Sequence, residues 1–94
     1  MKKCYMLMYD IRDEKRLKQI AKIIEGYGVR IQYSVFKCNL NKRELERLHW
    51  ELSKILRKED SFITIGLCEN CTKMVMVKNQ PEKWQSKVPS WVIH

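Results

Sequence analysis

Long hydrophobic runs are missing from this sequence. No apolar stretch approaches the ~20 residues that a helix needs to cross a bilayer, and no internal repeat or low-complexity segment is present. The apolar stretch at residues 4–11 is too short, and too quickly followed by charge, for a secretion signal. These absences favour a protein of the cytoplasm with no membrane segment.

Few residues are available for zinc binding or for general-base catalysis. The only histidines are His49 and His94, and the single CxxC motif, Cys68 to Cys71, has no second CxxC or HxxxH pair. A structural zinc site needs four ligands, and cytosolic thiols are reduced by default. Zinc binding and redox chemistry stay open for these thiols, but thiols that flank a turn are favoured. His49 is predicted on a helix face and not in a catalytic role.

Acidic residues are also scarce relative to basic ones. The 94 residues include 19 Lys and Arg but only 11 Asp and Glu, which gives a formal net charge of +8. One small domain with this excess is a candidate for binding nucleic acid or another anionic surface. The alternative is an ordinary solvated basic surface.

Hydrophobic periodicity predicts strands that alternate with helices. The first strand is apolar on both of its alternating faces, as expected of a strand buried on both sides. The first helix begins at its N-cap Asp13 and ends at Gly26 and Gly28, which are predicted as left-handed C-cap positions. Trp50 lies off the apolar stripe of the second helix, so it is predicted to be partly exposed or covered by a neighbouring segment. The predicted elements are a strand at 4–9, a helix from Asp13, an extended segment at 29–38, a helix from Asn41 to Arg57 with a capping box, and strands at 61–67 and 73–78 joined by a hairpin through Cys68–Thr72.

The predicted sheet has one face without helices. Two helices cover one face of a sheet, yet the first strand is apolar on both faces. The uncovered face must therefore bury against something, and we expect a symmetric dimer that packs sheet to sheet. The tail carries Trp84 and Trp91 and is predicted to add a short strand to a sheet edge.

Asp10 is the candidate functional residue. It is a lone carboxylate at the point where the first strand ends and a charged helix start follows, a place where such folds position ligand chemistry. One carboxylate is too little for a divalent metal, but a two-fold axis near Asp10 would supply a second. Two carboxylates with carbonyls and waters can hold Mg²⁺, which activates water for phosphodiester hydrolysis. The alternative, that Asp10 caps the first helix, stays open at this point.

Motifs along nearly the whole chain resemble those of the CRISPR-associated protein family two. The resemblance implies a ferredoxin-like α+β fold, a two-layer sandwich with an antiparallel sheet, two helices on one face and dimerisation through the other. It also implies a core at residues 1–78 and a tail at 79–94 that exchanges with the partner protomer. The family fold has a hairpin between the helices, but residues 29–40 contain no clear turn signal, so a kink near Ser34 is expected to take its place. The matching motifs are Tyr9-Asp10-Ile11 with Arg16, then Gly28, then the run from Arg30 to Phe36 (RIQYSVF), and Gly66-Leu67-Cys68.

The resemblance further implies a metal site and partners. One Asp10 from each protomer would flank Mg²⁺, or else Mn²⁺. Family members act in spacer acquisition, in which the dimer binds duplex DNA between two dimers of the CRISPR integrase, and several are metal-dependent endonucleases on RNA or duplex DNA. The residues implied to support Asp10 are Tyr9, Arg16, Arg30, Ser34 and Phe36.

Three functional interpretations stay open on the sequence. The first is a metal-dependent nuclease at Asp10, and the second is a non-catalytic DNA-binding scaffold whose Trp84 and Trp91 either dock the integrase or seal the dimer. The third is a stand-alone toxin-like ribonuclease of the same fold type. The basic candidates for phosphate contacts are Arg12, Lys15, Arg16, Lys18, Lys42 and Arg43.

Overall fold

One antiparallel sheet of four strands organises the molecule. The computed structural model of the chain describes residues 1–79 and Trp84. The strand order is β2-β3-β1-β4, which with the βαββαβ sequence of elements is the ferredoxin-like α+β arrangement that was predicted. The elements are β1 (Lys3–Asp10), α1 (Glu14–Glu25), β2 (Gly28–Gln32), β3 (Val35–Leu40), α2 (Lys42–Ser53), β4 (Ser61–Leu67) and α3 (Glu69–Lys73).

The hydrophobic core lies between the sheet and the two long helices. Leu7 of β1 and Phe36 of β3 are register partners and both are fully buried. They pack in one cluster with Ile20 and Ile24 of α1 and Leu48 of α2. The amphipathic stripes predicted for both helices therefore cover one face of the sheet.

Side-chain caps start both long helices where the sequence predicts them. The Asp13 carboxylate accepts a hydrogen bond from the Arg16 backbone N–H at 2.9 Å, and Asn41 forms a reciprocal capping box with Glu44. The predicted left-handed C-cap of α1 is wrong, because Gly26 has φ −75° and continues the right-handed helical geometry. The other glycine predicted there, Gly28, is the first residue of β2.

The second helix ends earlier than predicted. It stops at Ser53 and not at Arg57. The Arg57 backbone N–H donates to the Asp60 carboxylate at 2.9 Å, and the Asp60 N–H donates back to the Arg57 carbonyl at 3.0 Å. This local turn competes with further helix and directs the chain into β4.

Residues 29–38 are two strands and not one kinked segment. A two-residue turn, Tyr33 and Ser34, joins β2 to β3, so the hairpin that was predicted to be missing is present. A register shift between Arg30 and Gln32 marks a bulge in β2. The Ser34 carbonyl accepts a hydrogen bond from the Tyr9 backbone N–H at 3.2 Å. Pairing with β1 thus holds a turn that lacks the usual turn residues.

The strand predicted at 73–78 is wrong, as is the hairpin through Cys68–Thr72. A short helix, α3, takes up residues 69–73, and residues 75–77 have no regular secondary structure. The reason is local, since Cys68 is the N-cap of α3 and its carbonyl accepts from both the backbone N–H and the hydroxyl of Thr72 at 2.9 Å.

Trp84 packs against the chain's own sheet. It is 5% exposed, its indole N–H donates to the Thr72 carbonyl at 3.1 Å, and the Lys37 ammonium lies 4.8 Å from its ring centre. Trp91 and the other residues of the 79–94 tail, apart from Asn79 and Trp84, lie outside the described residues. The division at residue 78 and the strand exchange therefore stay predictions. A cavity of about 300 Å³ beside Trp84 is lined in part by Met6, Met8, Ile31, Val75 and Met76.

Candidate metal and nucleic-acid site

Asp10 ends β1 on the side of the sheet that faces away from the helices. In β1 the side chains alternate, so Asp10 shares a face with Met6 and Met8, and its register partner on β4 is Ser61. The side of the sheet that carries these residues is called the open face below because neither long helix packs on it; Trp84 and Val75 line a cavity with Met6 and Met8 on part of it. Asp10 is exposed and, among the described residues, its side chain makes no hydrogen bond or ion pair. The helix-cap alternative for Asp10 is wrong, because the cap of α1 is Asp13.

The β2–β3 turn is held beside the end of β1. The Tyr9 phenol donates a hydrogen bond to the Tyr33 carbonyl at 3.4 Å, in addition to the backbone bond from Tyr9 to Ser34. Ser34 therefore flanks the end of β1 on one side, while Ser61 flanks it on the other. Of the residues implied to support Asp10, Tyr9 precedes it on β1 and Ser34 lies beside the same strand end.

Tyr9, Phe36 and Arg30 lie on the helix side of the sheet. Tyr9 and Phe36 are buried with their rings stacked at 6.1 Å between centroids, and burial raises the pKa of the Tyr9 phenol. The Arg30 guanidinium lies 5.2 Å from the centre of the Phe36 ring and pairs with Glu25 at 3.7 Å. These three residues support the strand end from behind and do not share a face with Asp10.

Arg16 is bound to carboxylates of the same chain. Its Nε and Nη2 atoms donate to the two Asp60 oxygens at 2.9 and 3.1 Å, in a bidentate pair. Asp13 and Glu59 lie 3.8 and 3.6 Å from the same guanidinium. In the described part of the chain Arg16 therefore ties the start of α1 to the loop before β4, and carboxylates of the same chain occupy its guanidinium.

This ion pair predicts how stability depends on pH. Hydrogen bonds from Arg16 hold the pKa of Asp60 below its ordinary value, so the stabilisation is present above the pKa of the unfolded chain, about 3.9, and is lost as the pH falls through the folded pKa. Asp60→Asn should lower the denaturation midpoint at pH 7, and the difference from the wild type should shrink toward pH 2. Urea titrations across this range measure both effects. Glu59→Gln, which removes an exposed partner of Arg16, is the control, and an equal deficit of Asp60→Asn at pH 2 would contradict the account.

The predicted phosphate-binding residues divide between two ends of the molecule. Arg12 and Lys15 lie near the Asp10 end of the sheet, since α1 begins there, and Lys18 pairs with Glu14 at 3.6 Å. Lys42 and Arg43 begin α2 at the opposite end of β1, about 23 Å away along eight extended residues. The six candidates therefore do not form one patch in a single protomer.

The thiols and His49 have structural contacts. The Cys71 backbone N–H donates to the Cys68 sulfur at 3.3 Å, so Cys68 caps α3, while burial raises the pKa of Cys38 to about 12. His49 Nε2 lies 2.9 Å from the Thr64 hydroxyl, its ring meets the edge of Phe62, and burial lowers its pKa. His49 thus lies on a helix face, as predicted, and it contacts Thr64 and Phe62 of β4.

Oxygen donors define which metal the strand end suits. Within the described residues, no three His, Cys, Asp or Glu side chains are grouped to hold a metal ion. One protomer therefore offers the Asp10 carboxylate, with Ser61 as its register partner on β4 and the Ser34 backbone beside the same strand end. Hard oxygen ligands suit Mg²⁺ or Mn²⁺ better than zinc, and such a site needs a second carboxylate.

Comparison with known proteins decides the family. The family model described as CRISPR associated protein Cas2 matches residues 3–75, which include the whole sheet and both long helices. The chain belongs to the Cas2 family. The resemblance in the motifs around Asp10 and in the RIQYSVF run is thereby confirmed.

The sequence did not reveal Ser61, the register partner of Asp10, or Asp60, the partner of Arg16. Strand register and a contact over 44 residues have no local signal in the sequence.

Relatives in the Cas2 family are similar over most of the chain. "CRISPR-associated endoribonuclease Cas2 3" of Synechocystis sp. is 46% identical over 56 residues, 60% of this chain. The match covers 61% of that relative, less than two thirds of its length. "CRISPR-associated endoribonuclease Cas2 1" of Chloroflexus aurantiacus is 33% identical over 75 residues, which cover 78% of this chain and 81% of the relative.

Solved structures confirm the ferredoxin-like fold of the family. A crystal structure of Streptococcus pyogenes Cas2 at pH 6.5 superposes with a TM-score of 0.73 at 29% identity, over 81% of this chain and 99% of that one. A chain of a partial Cas6-RT-Cas1–Cas2 complex has a TM-score of 0.72 at 23% identity, over 82% of this chain and 90% of that one. The second likeness concerns the fold alone.

Membrane-spanning helices are not found in the described part of the chain, since none of its helices has the length and apolar character that a bilayer requires.

Proposed function

We propose that this chain is a homodimeric nuclease subunit of CRISPR spacer acquisition, with a metal site made of two copies of Asp10. The position of Asp10 carries the proposal, since it is an exposed carboxylate at the end of an apolar strand and on the open face. The relatives' name, CRISPR-associated endoribonuclease, supports phosphodiester hydrolysis as the chemistry. The nucleic acid cleaved is RNA or duplex DNA.

The open face supports a dimer. Ile63 and Ile65 of β4 share this face with Met6 and Met8 of β1, and they are 50% and 38% exposed. Burial of such a cluster of apolar side chains against a second protomer lowers the free energy and so favours the dimer. A two-fold axis beside the strand end would bring the two copies of Asp10 into one cleft.

The donor set at that cleft fits Mg²⁺ or Mn²⁺. Two carboxylates with hydroxyl, carbonyl and water oxygens match the ligands of these ions, and a bound ion lowers the pKa of water and balances charge on phosphate. The chain's own residues have separate tasks. The two Asp10 carboxylates hold the ion, Tyr9 and Phe36 fix the strand behind it, and the hydrogen bond from Tyr9 fixes the position of Ser34.

Binding of nucleic acid is proposed for the basic residues near Asp10. Arg12 and Lys15 are exposed at that end of the sheet, and among the described residues neither forms an ion pair. They would neutralise phosphates without selecting bases. Lys42 and Arg43 contact a different part of the ligand, since they lie at the other end of the protomer.

The oligomeric state provides the first test. We expect a dimer in sedimentation velocity at micromolar concentration. Ile63→Glu should shift it to monomer, because a buried unpaired carboxylate at the centre of the interface costs several kcal/mol. Met74→Glu is the matched control, since Met74 is 76% exposed and lies after α3, outside the sheet. A monodisperse wild-type monomer would reject the dimer and the paired site with it.

Cleavage by the wild-type chain is the second part of the test. The purified protein is incubated with a labelled RNA and with a DNA duplex in Mg²⁺, in Mn²⁺ and in EDTA, across a range of pH. We expect cleavage of at least one substrate that EDTA abolishes. No cleavage under any of these conditions rejects the enzymatic proposal.

A DNA-binding scaffold for the CRISPR integrase is the second candidate. It is favoured by the absence, among the described residues, of a side-chain general base near Asp10, since His49 contacts Thr64. A dimer that binds duplex DNA and the integrase but cleaves nothing supports it. Trp84 is buried against Thr72 and Lys37 in its own protomer, so the scaffold's docking surface would use other residues. Activity of the isolated chain as a toxin would instead support the stand-alone ribonuclease.

A further inference from the structure

Helix α2 carries a basic stripe with a tryptophan in its middle. Arg43, Arg47, Trp50 and the C-cap residue Lys54 follow one another at spacings of four, three and four residues. Since Lys54 keeps right-handed helical geometry, all four lie on one face of the helix. All four are exposed, Trp50 to 59%. We call these four residues the α2 stripe. Leu48 and Leu52 point from another face of α2 into the core, so the stripe lies on the outside of the protomer.

The cations of the α2 stripe are not neutralised by carboxylates. In the described part of the chain, Arg43, Arg47 and Lys54 form no ion pair, whereas Arg16, Lys18 and Arg30 all do. Glu46 is the exposed carboxylate at one edge of the stripe. The Lys54 ammonium lies 3.5 Å from the centre of the Trp50 ring. The large indole of Trp50 is thus exposed to solvent among cations that form no ion pair in the described part of the chain.

We infer that the α2 stripe binds a single strand of nucleic acid, with Trp50 stacked on an unpaired base and the three cations on flanking phosphates. The inference rests on the proposed function for the class of ligand. The three positive charges of the stripe favour a polyanion as the ligand. The exposed Trp50 ring favours a single strand over a duplex. In a duplex the base faces are already stacked on each other, so an indole there has no partner. An exposed tryptophan beside Lys and Arg is the arrangement that binds unpaired bases in many single-strand-binding proteins.

The location of the stripe is compatible with the proposed dimer. The helices cover the face of the sheet opposite the open face, so sheet-to-sheet packing leaves both copies of the stripe in solvent. The stripe extends about 16 Å from Arg43 to Lys54 at 1.5 Å per helical residue. A strand bound there would not cover Asp10.

The test compares affinities for a labelled oligothymidine, a DNA duplex and an abasic strand of equal length. Trp50→Ala should weaken binding of the oligothymidine about 5- to 150-fold, the range measured for loss of one base–aromatic stack. It should leave the abasic strand and the duplex unchanged, and Trp50→Phe should retain most of the affinity. Lys54→Ala and Arg47→Ala should each reduce the slope of log K against log salt by about 0.7. Lys73→Ala, which removes an exposed lysine paired with Glu69 on α3, is the matched control.

Several outcomes overturn the inference. Equal affinity of Trp50→Ala and the wild type for oligothymidine does so, as does an equal loss with the abasic strand or the duplex. Because Trp50 is exposed, an unchanged thermal midpoint is expected and separates binding from folding. A wild type that binds oligothymidine but is monomeric and cleaves nothing rejects the proposed function and retains the α2 stripe. A dimer that cleaves RNA but does not bind oligothymidine supports the proposed function and rejects the α2 stripe as a binding site.

Discussion

Asp10→Asn is expected to lower metal-dependent cleavage of RNA or duplex DNA by about 10²–10³-fold, the loss typical when one charge-stabilising group leaves an active site. The amide keeps the size and one carbonyl oxygen of the side chain but removes its negative charge. Because the proposed dimer contains two copies of Asp10, the substitution would remove both charged ligands of the proposed metal. Single-turnover cleavage at saturating Mg²⁺, with protein in excess, measures the effect.

Structural side effects of Asp10→Asn should be small. Asp10 is exposed and among the described residues its side chain makes no hydrogen bond or ion pair, so the denaturation midpoint and the proposed dimer should match those of the wild type. Asp13→Asn is the control, because it changes a nearby carboxylate while asparagine remains a good N-cap for α1. Cleavage that survives Asp10→Asn while Asp13→Asn reduces it would remove Asp10 from the proposed site.

A mixed dimer shows whether the two copies of Asp10 act together. A dimer with one wild-type protomer and one Asp10→Asn protomer has a single charged ligand. If the metal needs both carboxylates, this dimer should require a higher Mg²⁺ concentration for half-maximal cleavage and should fall well below half of the wild-type rate. A rate at half of the wild type, with unchanged Mg²⁺ dependence, would indicate two independent sites.

Gly28→Ala is expected to destabilise the fold by about 3 kcal/mol or more. A Cβ atom at position 28 would lie 2.3 Å from the Lys37 carbonyl oxygen and 2.5 Å from the Cys38 sulfur, where β2 and β3 approach closely. The first of these is a backbone atom of the central part of the sheet, so it cannot move aside without breaking strand pairing. Urea denaturation followed by circular dichroism measures the loss.

The other two glycines provide matched alanine controls. At Gly26 the nearest atom to a Cβ is the Ile23 carbonyl oxygen at 3.3 Å, and φ is −75°, which alanine adopts readily. At Gly66 the nearest atom is on the Tyr5 ring, also at 3.3 Å. Both substitutions should change stability by less than about 1 kcal/mol. If Gly28→Ala were as mild, the close approach of β2 and β3 would not be the reason for glycine.

Local chemistry explains which elements the sequence predicts well. The Asp13 cap and the Asn41 capping box involve partners three residues away, so the pattern around each residue contains the whole interaction. The strand at 61–67 begins and ends where it is predicted, because polar residues on both sides mark the limits of its run of apolar residues. The end of α1 at Gly26 is predicted correctly, but its left-handed conformation is not, because glycine favours that conformation at a cap only on average. At Gly28 the reason for glycine is space, since a Cβ atom would collide with β3.

Tertiary contacts explain the remaining differences. The Tyr33–Ser34 turn has no glycine, proline or asparagine. It is held by two hydrogen bonds from Tyr9, one from its phenol to the Tyr33 carbonyl, 24 residues away in sequence, and one from its backbone N–H to the Ser34 carbonyl. The replacement of the predicted strand at 73–78 by α3 depends on Cys68 acting as a cap, an uncommon role for cysteine. Arg16 was predicted beside Asp10, but Asp60, 44 residues away, binds its guanidinium.

The sequence by itself determined where the two long helices begin, the strands β1 and β4, the family motifs and the position of Asp10 at a strand end, because periodicity and capping are local properties of the chain. Only the tertiary structure decided what surrounds that carboxylate. Strand register placed Ser61 beside it, the β2–β3 turn placed Ser34 at the same end, and side-chain alternation separated Asp10 from Tyr9 and Phe36. Such relations depend on which strands pair and in what register, and free energy summed over the whole core selects that pairing.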